Sequence, residues 1–162
     1  MKIKRLYEDD VDTYEEDLVP LLRSCYDGNY DVLITDDFCL EKLRGLRQYL
    51  RDGKAFLFGV IDDSGRLAGF DWGYEVRFLT ERRYHSAYSA IAPWAAGQGW
   101  FTELYRVVEA DAHQMGYTCV ELAASAANEK VCTIYKKYGY EAERIYFKKN
   151  LGGTTKKTGR TL

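Results

Sequence analysis

The N-terminal part of the chain combines a short strand pattern with the apolar spacing of an amphipathic helix. Residues 2–7 alternate imperfectly between charged and apolar side chains and predict an edge strand, followed by an acidic turn. The helix that comes next has two candidate starts. Thr13 and Glu16 form a capping pattern. A start near Asp17 would instead place Pro20 in the first turn, where its missing N–H costs little. The apolar face of this helix consists of Leu18, Leu21, Leu22 and Cys25.

A second helix and a β-hairpin are predicted before the middle of the chain. The acidic pair at positions 36–37 favours a helix N-terminus, and Gly53 ends the helix. Residues 55–61 then form an apolar run, residues 62–65 have the composition of a turn, and residues 67–78 resume as a strand. This change of period predicts two antiparallel strands joined by a tight turn.

The second half of the chain alternates strands with helices. The predicted elements are a strand over 84–91, a helix over 102–115, a strand over 119–123, a helix over 128–138 and a strand over 140–148. Gly116 and Gly139 end the two helices. The order β–α–α–β–β–β–α–β–α–β predicts one mixed α/β domain over residues 1–151. Residues 152–162 have too little apolar surface to pack and are predicted to form a flexible C-terminal tail.

Composition restricts the classes of function. The 162 residues fit one domain, and a formal net charge of −2 argues against a dedicated nucleic-acid binder. The N-terminus is charged and no window approaches 18 apolar residues, so we expect no signal peptide, no membrane span and a cytoplasmic protein. The four cysteines form no C-x-x-C pair, which predicts reduced thiols and no metal site.

Glycines mark the junction between the strand over 84–91 and the following helix. The sequence of residues 91–101 is IAPWAAGQGWF, with Gly97 and Gly99 just before the helix. Glycines allow backbone N–H groups to approach a phosphate, and a helix N-terminus adds partial positive charge. Gly-x-Gly also occurs in ordinary strand-to-helix turns, so the pattern alone leaves both interpretations open. A dinucleotide-binding G-x-G-x-x-G motif is excluded, because Thr102 occupies the third glycine position.

The segment from residue 67 to residue 146 resembles the Gcn5-related N-acetyltransferase superfamily. The phosphate loop of that family, [R/Q]-x-x-G-x-[G/A], maps to residues 96–101. A register starting at Trp94 would match both final glycines, but the 17 positions from Gly99 to Gly116 favour the first register. The family's block N-x6-Y-x3-G-[FY] is similar to the sequence from Asn128 through Tyr135 to Gly139 and Tyr140.

This resemblance implies a GNAT-like mixed, mainly antiparallel sheet of about six to seven strands flanked by about four helices. It also implies acetyl-CoA as cofactor and transfer of the acetyl group to a primary amine by direct attack in a ternary complex. The implied cofactor-binding residues are Ser89, Ala90 and Ile91 for the pantetheine arm, Ala96, Gly97, Gln98, Gly99, Trp100 and Phe101 for the pyrophosphate, and Asn128, which would contact the arm or cap the last helix. Tyr135 is the implied general acid for the leaving thiolate and also borders the cofactor.

Two departures from the family pattern support an alternative. Ala96 stands where the family usually has Arg or Gln, and Phe101 replaces a small residue at the helix start. A catalytically inactive module that keeps the fold and binds a partner or senses CoA is therefore the alternative hypothesis.

The acceptor side of the site is less defined by sequence. His85 is the candidate general base, since serotonin-type members of the superfamily also have a histidine there and histidine titrates near neutral pH. Glu81, Glu75 and Asp71 are rivals for that role and could instead attract an ammonium group. The predicted substrate-binding residues are Asp71, Trp72, Tyr74, Glu75 and Tyr88. These aromatic and acidic residues favour a small cationic amine, with peptide or protein amines as the other class. Acetylation of charged tRNA is disfavoured, because the lysine runs are typical of solvated faces. Pairing through the C-terminal strand would give a homodimer.

Overall fold

The computed structural model describes residues 1–27, 30, 32–149 and 151. Its elements, in chain order, are β1 (Lys2–Leu6), α1 (Glu8–Thr13), α2 (Glu15–Asp27), α3 (Asp36–Arg51), β2 (Phe56–Ile61), β3 (Leu67–Phe78), β4 (Glu81–Ile91), a 3₁₀ turn (Pro93–Ala95), α4 (Trp100–Gln114), β5 (Cys119–Leu122) and α5 (Glu129–Lys137). The strands form one sheet in the order β1-β2-β3-β4-β5. The pairs from β1 to β4 are antiparallel, and β4 pairs with β5 in parallel.

Helices cover both faces of this sheet. A core cluster that includes Leu22, Leu43 and Trp72 packs α1, α2 and α3 on one face. A second cluster that includes Tyr84 and Leu104 packs α4 on the other face. Every residue of β2 is buried, which explains why its sequence is a continuous apolar run without alternation. The predicted mixed, mainly antiparallel sheet and the β2–β3 hairpin are confirmed.

The predicted start of the first helix is wrong. Thr13 is the last residue of α1, and a separate helix, α2, begins at Glu15 and contains Pro20 in its interior. The acidic residues predicted to form a turn instead occupy the first turn of α1, where carboxylates interact favourably with the helix dipole. The Asp10 carboxylate also accepts a hydrogen bond from the backbone N–H of Tyr7 at 2.9 Å. The described residues thus form five α-helices rather than about four.

The strand predicted over 140–148 is also wrong. Residues 141–149 have no regular secondary structure, and the sheet has five strands in the described part of the chain rather than six to seven. Side chains attach this segment to the sheet, because Glu143 pairs with Arg83 and Arg144 pairs with Glu121. Phe147 is 93% exposed. The predicted tail over 152–162 lies outside the described residues, and the helices that are described include none long and apolar enough to cross a membrane.

Candidate active site

A split between β4 and β5 is the central feature of the site. The parallel ladder runs from Arg83–Cys119 to Ser86–Leu122 and then ends. β4 continues to Ile91 with β3 as its strand partner, and within the described chain no strand pairs with its other edge beyond Ser86. The β3–β4 register also shifts between Trp72 and Gly73, so β4 carries a bulge at this point. A bulge bends a strand and increases its twist, and this one lies directly after Ser86, where the β4–β5 ladder ends.

The glycine loop follows β4 and opens α4. Gly97 and Gly99 have φ angles of +77° and +84°, a region that glycine adopts without a steric penalty. Gly99 is the N-cap of α4 and forms no side-chain cap. A Cβ atom built at either glycine would meet no atom within 4 Å. The first N–H groups of α4 lack intrahelical acceptors, so this end of the helix has the properties of an anion site.

The two residues that depart from the family pattern lie at opposite ends of this loop. Ala96 is exposed and offers no side-chain donor. The ring of Phe101 packs toward α5, with its centroid 4.7 Å from that of Tyr105 and 6.1 Å from that of Tyr135. Gln98 donates a hydrogen bond from Nε2 to the carbonyl of Trp94 at 3.3 Å. The Phe101 ring is therefore part of an aromatic cluster between α4 and α5.

Asn128 and Tyr135 belong to α5, which lies against α4. The side chain of Asn128 caps α5 by accepting a hydrogen bond from the backbone N–H of Val131 at 3.3 Å. Tyr135 is half-buried, and its ring centroid is 6.3 Å from that of Tyr105. Burial raises the pKa of Tyr135, while hydrogen bonds with Tyr105 and Ser89 oppose the rise. The Tyr135 hydroxyl thus remains protonated at neutral pH and lies among hydroxyls at the split.

A buried polar network connects this split to the interior of the sheet. Asp71 is fully buried and accepts hydrogen bonds from the hydroxyls of Tyr84, at 2.6 Å, and Ser86. The Tyr105 hydroxyl lies 2.9 Å from Ser86 Oγ and 2.9 Å from Ser89 Oγ. Burial raises the pKa of Asp71 to about 6, and the hydrogen bonds from Ser86 and Tyr84 limit the rise.

The other face of the sheet carries the aromatic candidates and His85. The ring of Tyr74 lies 5.0 Å from that of His85, and the ring of Trp72 lies 5.0 Å from that of Tyr88. His85 Nδ1 is 2.9 Å from the carboxylate of Glu121, one pair before the ladder ends. Rings from α2 and α3 join those of Trp72, Tyr74 and Tyr88 to form an aromatic wall. In it, Tyr26 donates a hydrogen bond to the Tyr88 hydroxyl at 2.7 Å and contacts Phe38 edge to face.

The predicted acidic residues are not brought together. Asp71 is on the α4 face of β3, away from the aromatic wall. Glu75 is bound by Arg82 and Arg77, which hold its pKa below the ordinary value, with the Arg82 hydrogen bond as the main cause. Glu81 begins β4 and pairs with Arg83, at the end of the strand remote from the split.

Several residues around the split were not predicted from sequence. Ser86, Tyr105 and Glu121 acquire their positions from the sheet register and from the packing of α4. Tyr105 follows Leu104 in the buried stripe of α4 and has the pattern of a core residue. Only the spacing of four residues between Phe101 and Tyr105 indicated a shared helix face.

Cys25 also lies at the split. Its Sγ is 3.5 Å from the carbonyl oxygen of Ser89, so the C-terminal part of α2 approaches the unpaired edge of β4. Burial raises the pKa of Cys25 to about 12. The side chain is therefore a neutral thiol at physiological pH and a poor nucleophile.

Comparisons with known proteins agree with this architecture. A family profile described as "Acetyltransferase (GNAT) family" matches residues 7–140. No curated protein sequence matches the chain significantly. Similar solved structures include a ribosomal-protein-alanine N-acetyltransferase from Brucella melitensis biovar Abortus 2308, with a TM-score of 0.68, 20% identity, and coverage of 93% of this chain and 99% of that chain.

Two further similar structures are aminoglycoside acetyltransferases. One, an aminoglycoside N-acetyltransferase in complex with CoA, has a TM-score of 0.71 and 16% identity, and the match covers 93% of this chain and 95% of that chain. The other, from an uncultured soil metagenomic sample and in complex with trehalose, has a TM-score of 0.71 and 17% identity over 93% of this chain and 96% of that chain. These likenesses show the fold.

Proposed function

Because the chain belongs to the acetyltransferase (GNAT) family, we propose that it transfers an acetyl group from acetyl-CoA to a primary amine. The observation that carries the proposal is the separation of β4 from β5 after the Ser86–Leu122 pair, beside the Tyr135 hydroxyl and ahead of the glycine loop of α4. Acyl transfer from CoA requires an anion site, a backbone edge for the pantetheine arm and a proton donor for sulfur. The split offers a candidate for each.

The residues around the split fit acetyl-CoA. The open space at Gly97 and Gly99, with the uncapped start of α4, supports binding of the diphosphate by backbone N–H groups. The unpaired edge of Ser89–Ile91 can hydrogen-bond the amides of the pantetheine arm as a neighbouring strand would. Ala96 adds no side-chain donor, so backbone N–H groups would make most of the contact with the diphosphate. When bound, acetyl-CoA would supply the activated acyl carbon.

Tyr135 is the proposed general acid. Its hydroxyl is protonated at neutral pH because burial raises its pKa, so it can donate a proton to the sulfur of the leaving group. Contacts with Phe101, Tyr105 and Tyr140 fix the orientation of its ring. Positioning of this kind matters more for a proton donor than a shifted pKa.

Direct attack by the amine is favoured over an acyl-enzyme route. Cys25, the thiol beside the split, has a pKa of about 12 and is therefore almost entirely protonated at neutral pH. Thiolate is the nucleophilic form of cysteine, so this side chain is badly suited to accept an acyl group. Both substrates would thus be bound at the same time.

The aromatic wall supports a cationic amine as acceptor. The Tyr88 ring contacts those of Tyr26 and Trp72, and the partly exposed rings of Tyr26 and Tyr88 can attract a cation through their π-faces. The Glu121 carboxylate lies beside His85 on this face of the sheet. Similar structures have aminoglycosides or a ribosomal protein alanine as substrates in their names. We propose a small cationic amine first and a peptide or protein amine second.

A second candidate function is a binding or CoA-sensing module without activity. Two observations favour it: Ala96 provides no side chain for the phosphates, and the bulky Phe101 stands in the first turn of α4. This candidate differs from the enzyme in one measurable respect, because it binds a ligand without releasing thiol.

Calorimetry and a thiol-release assay test the proposal together. Purified full-length protein is titrated with acetyl-CoA and with CoA, and then incubated with acetyl-CoA and a panel of polyamines, amino sugars and peptides. Saturable binding with thiol release that depends on one amine class supports the enzyme. Binding without release for any amine supports the sensing module, and absence of binding rejects both the enzyme and the CoA sensor and leaves only a scaffold that binds another partner.

A further inference from the structure

A continuous chain of hydroxyl groups joins the fully buried Asp71 to the split. Ser86 donates to Asp71 Oδ1, and Ser86 Oγ lies 2.9 Å from the Tyr105 hydroxyl. The Tyr105 hydroxyl is in turn 2.9 Å from Ser89 Oγ, and the Tyr105 ring lies beside that of Tyr135, with the two centroids 6.3 Å apart. The links from Asp71 to Ser89 are within hydrogen-bonding distance, so a proton can move along them by successive short transfers, with Tyr135 next to their outer end.

The inner end of this chain is a carboxyl group in an apolar environment. Asp71 forms none of the ion pairs found among the described residues, and its backbone neighbour on β2 is Phe58. Burial raises its pKa to about 6. The titratable groups that interact with its charge are the hydroxyls of Tyr84 from β4, Tyr105 from α4 and Tyr135 from α5, together with Tyr140 and, across the sheet, the Cys25 thiol of α2.

A structural role alone does not require this carboxyl. An amide oxygen could accept the hydrogen bond from Tyr84 or Ser86 while its NH2 donated to the other hydroxyl, without the cost of burying an unpaired charge. Unlike an amide, a carboxyl group that titrates near neutral pH can accept a proton and return it. Perturbed carboxyls linked to a cleft are typical of functional sites.

We propose that Asp71 accepts the proton released by the attacking amine and returns it to the leaving sulfur, through the hydroxyls of Ser86, Tyr105, Ser89 and Tyr135. This inference rests on the proposed function and deepens it. It assigns the proton acceptor to Asp71 in preference to His85, whose Nδ1 is already 2.9 Å from the Glu121 carboxylate and which, among the described residues, is not connected to the hydroxyl chain. Asp71 touches neither substrate in this scheme and acts through the hydroxyls.

The proton transfers balance. As the amine nitrogen bonds to the acyl carbon, it loses one proton to Ser89 Oγ. The Ser89 hydroxyl proton passes to Tyr105, that of Tyr105 to Ser86, and that of Ser86 to ionised Asp71. On return, protonated Asp71 donates to Ser86, Ser86 to Tyr105 and Tyr105 to Tyr135, which donates its own proton to the sulfur. One N–H bond is broken and one S–H bond is formed, and every hydroxyl regains its proton.

Tyr84 and Ser86 provide a matched pair of test sites. Each donates one hydrogen bond to Asp71, but Ser86 lies on the chain to the split and Tyr84 does not. Tyr84→Phe and Ser86→Ala should both raise the pKa of Asp71, since each hydrogen bond lowers it. Ser86→Ala alone interrupts the path.

The experiment measures the Asp71 carboxyl pKa by carbon-13 NMR and, in parallel, the pH dependence of kcat. The wild-type rate should rise with pH through an apparent pKa equal to that of Asp71. In Tyr84→Phe this rise of kcat should move to higher pH by the same shift that NMR records for the Asp71 pKa. Ser86→Ala should lower kcat at least tenfold while Asp71 still titrates. Asp71→Asn should abolish the rise of kcat with pH, whereas His85→Gln should leave that rise in place.

The two proposals can fail separately. In one outcome, the wild type transfers acetyl groups while Tyr84→Phe shows no change in the rising part of its kcat–pH profile, although NMR records a shifted Asp71 pKa. That result would overturn the proton relay through Asp71 and leave the acetyltransferase intact. A rise of kcat with pH that disappears in His85→Gln would likewise overturn the relay in favour of histidine. Failure of the wild type to release thiol with any amine would overturn the acetyltransferase and the relay together, whatever pKa NMR gives for Asp71.

Discussion

Ser86 of β4 and Leu122 of β5 form the last pair of the parallel ladder, and the two strands separate directly after it. The backbone of Ser86 therefore closes the paired part of the sheet, while its side chain connects the buried Asp71 to Tyr105. The unpaired edge of β4 and the inner polar network thus begin at the same residue. This coincidence explains why a site for acyl transfer would form here rather than elsewhere along the sheet.

Replacing Tyr135 by Phe tests the general acid. The change removes the hydroxyl and preserves the ring contacts with Phe101 and Tyr140. Loss of a positioned proton donor lowers kcat by about 10²-fold, whereas the dissociation constant for acetyl-CoA should change less than about twofold, a free energy well below one hydrogen bond. Thiol release and calorimetry measure the two quantities. Tyr138→Phe, one turn away at the end of α5, is the control and should retain kcat; an equal loss in both variants would reject the assignment.

Gly99→Ala tests the anion site. Gly99 has a φ of +84° at the start of α4, and an added Cβ would point into open space. Gly53, with a φ of +68° and equally open surroundings after α3, is a matched control. Both variants should lose about 1 kcal/mol of folding stability from left-handed strain. Only Gly99→Ala should weaken acetyl-CoA binding, by about tenfold, corresponding to about 1.4 kcal/mol. Equal affinities in calorimetry would contradict the phosphate role.

Arg83 should stabilise the fold through three carboxylates. It is nearly buried and pairs with Glu81, Glu121 and Glu143. Arg83→Met should therefore cost roughly 2 kcal/mol in urea unfolding at pH 7, a value discounted because Glu81 and Glu143 are partly solvated. Arg82→Met, which breaks a more exposed pair with Glu75, should cost clearly less.

The effect of Arg83 should depend on pH. Hydrogen bonding to Arg83 lowers the pKa of Glu143, so the stabilisation is present above the unfolded-state pKa and is lost as pH falls through the folded-state value. The stability difference between the wild type and Arg83→Met should shrink as pH falls below the unfolded-state pKa of a glutamate, about 4.3. A difference that stays constant down to pH 3 would show that packing of the Arg83 side chain, rather than its charge, is responsible.

Asp71→Asn should change how stability depends on pH. Burial raises the pKa of Asp71 from 3.8 to about 6. The folded state therefore keeps a proton between about pH 4 and pH 6 that the unfolded state has released, and the free energy of unfolding falls as pH rises through this window. At about 1.4 kcal/mol per pKa unit, the fall is of the order of 3 kcal/mol. Urea unfolding from pH 4 to pH 7.5 should show that the free energy of unfolding of Asp71→Asn rises relative to that of the wild type by this amount. A difference between the two proteins that does not change with pH would contradict the titration of Asp71.

Local chemistry made much of the fold predictable. The β2–β3 hairpin follows from a turn composition between two apolar runs, and the bounds of β3 agree with the prediction over 67–78. α4 and α5 begin within two residues of their predicted starts, because a glycine loop and Asn128 mark them. The start of α1 was missed, since three consecutive acidic residues are typical of a turn as well as of a helix N-terminus.

The inner part of the site could not be predicted in the same way. The link from Asp71 to Tyr105 joins residues on different elements, and it depends on a bulge that shifts the β3–β4 register. A single sequence carries no signal for that shift. The strand predicted over 140–148 is a further case: Glu143 and Arg144 pair with side chains of the sheet, but residues 141–149 make no backbone pairing with a strand.

The most direct test of the account is a single-turnover reaction of the full-length protein with radiolabelled acetyl-CoA and a small cationic amine such as a polyamine. The account predicts that label appears on the amine nitrogen in step with thiol release, and that without amine the protein itself acquires no label. Label retained on the protein, or acetyl-CoA that binds and is never consumed with any amine of the panel, would contradict direct transfer at the split.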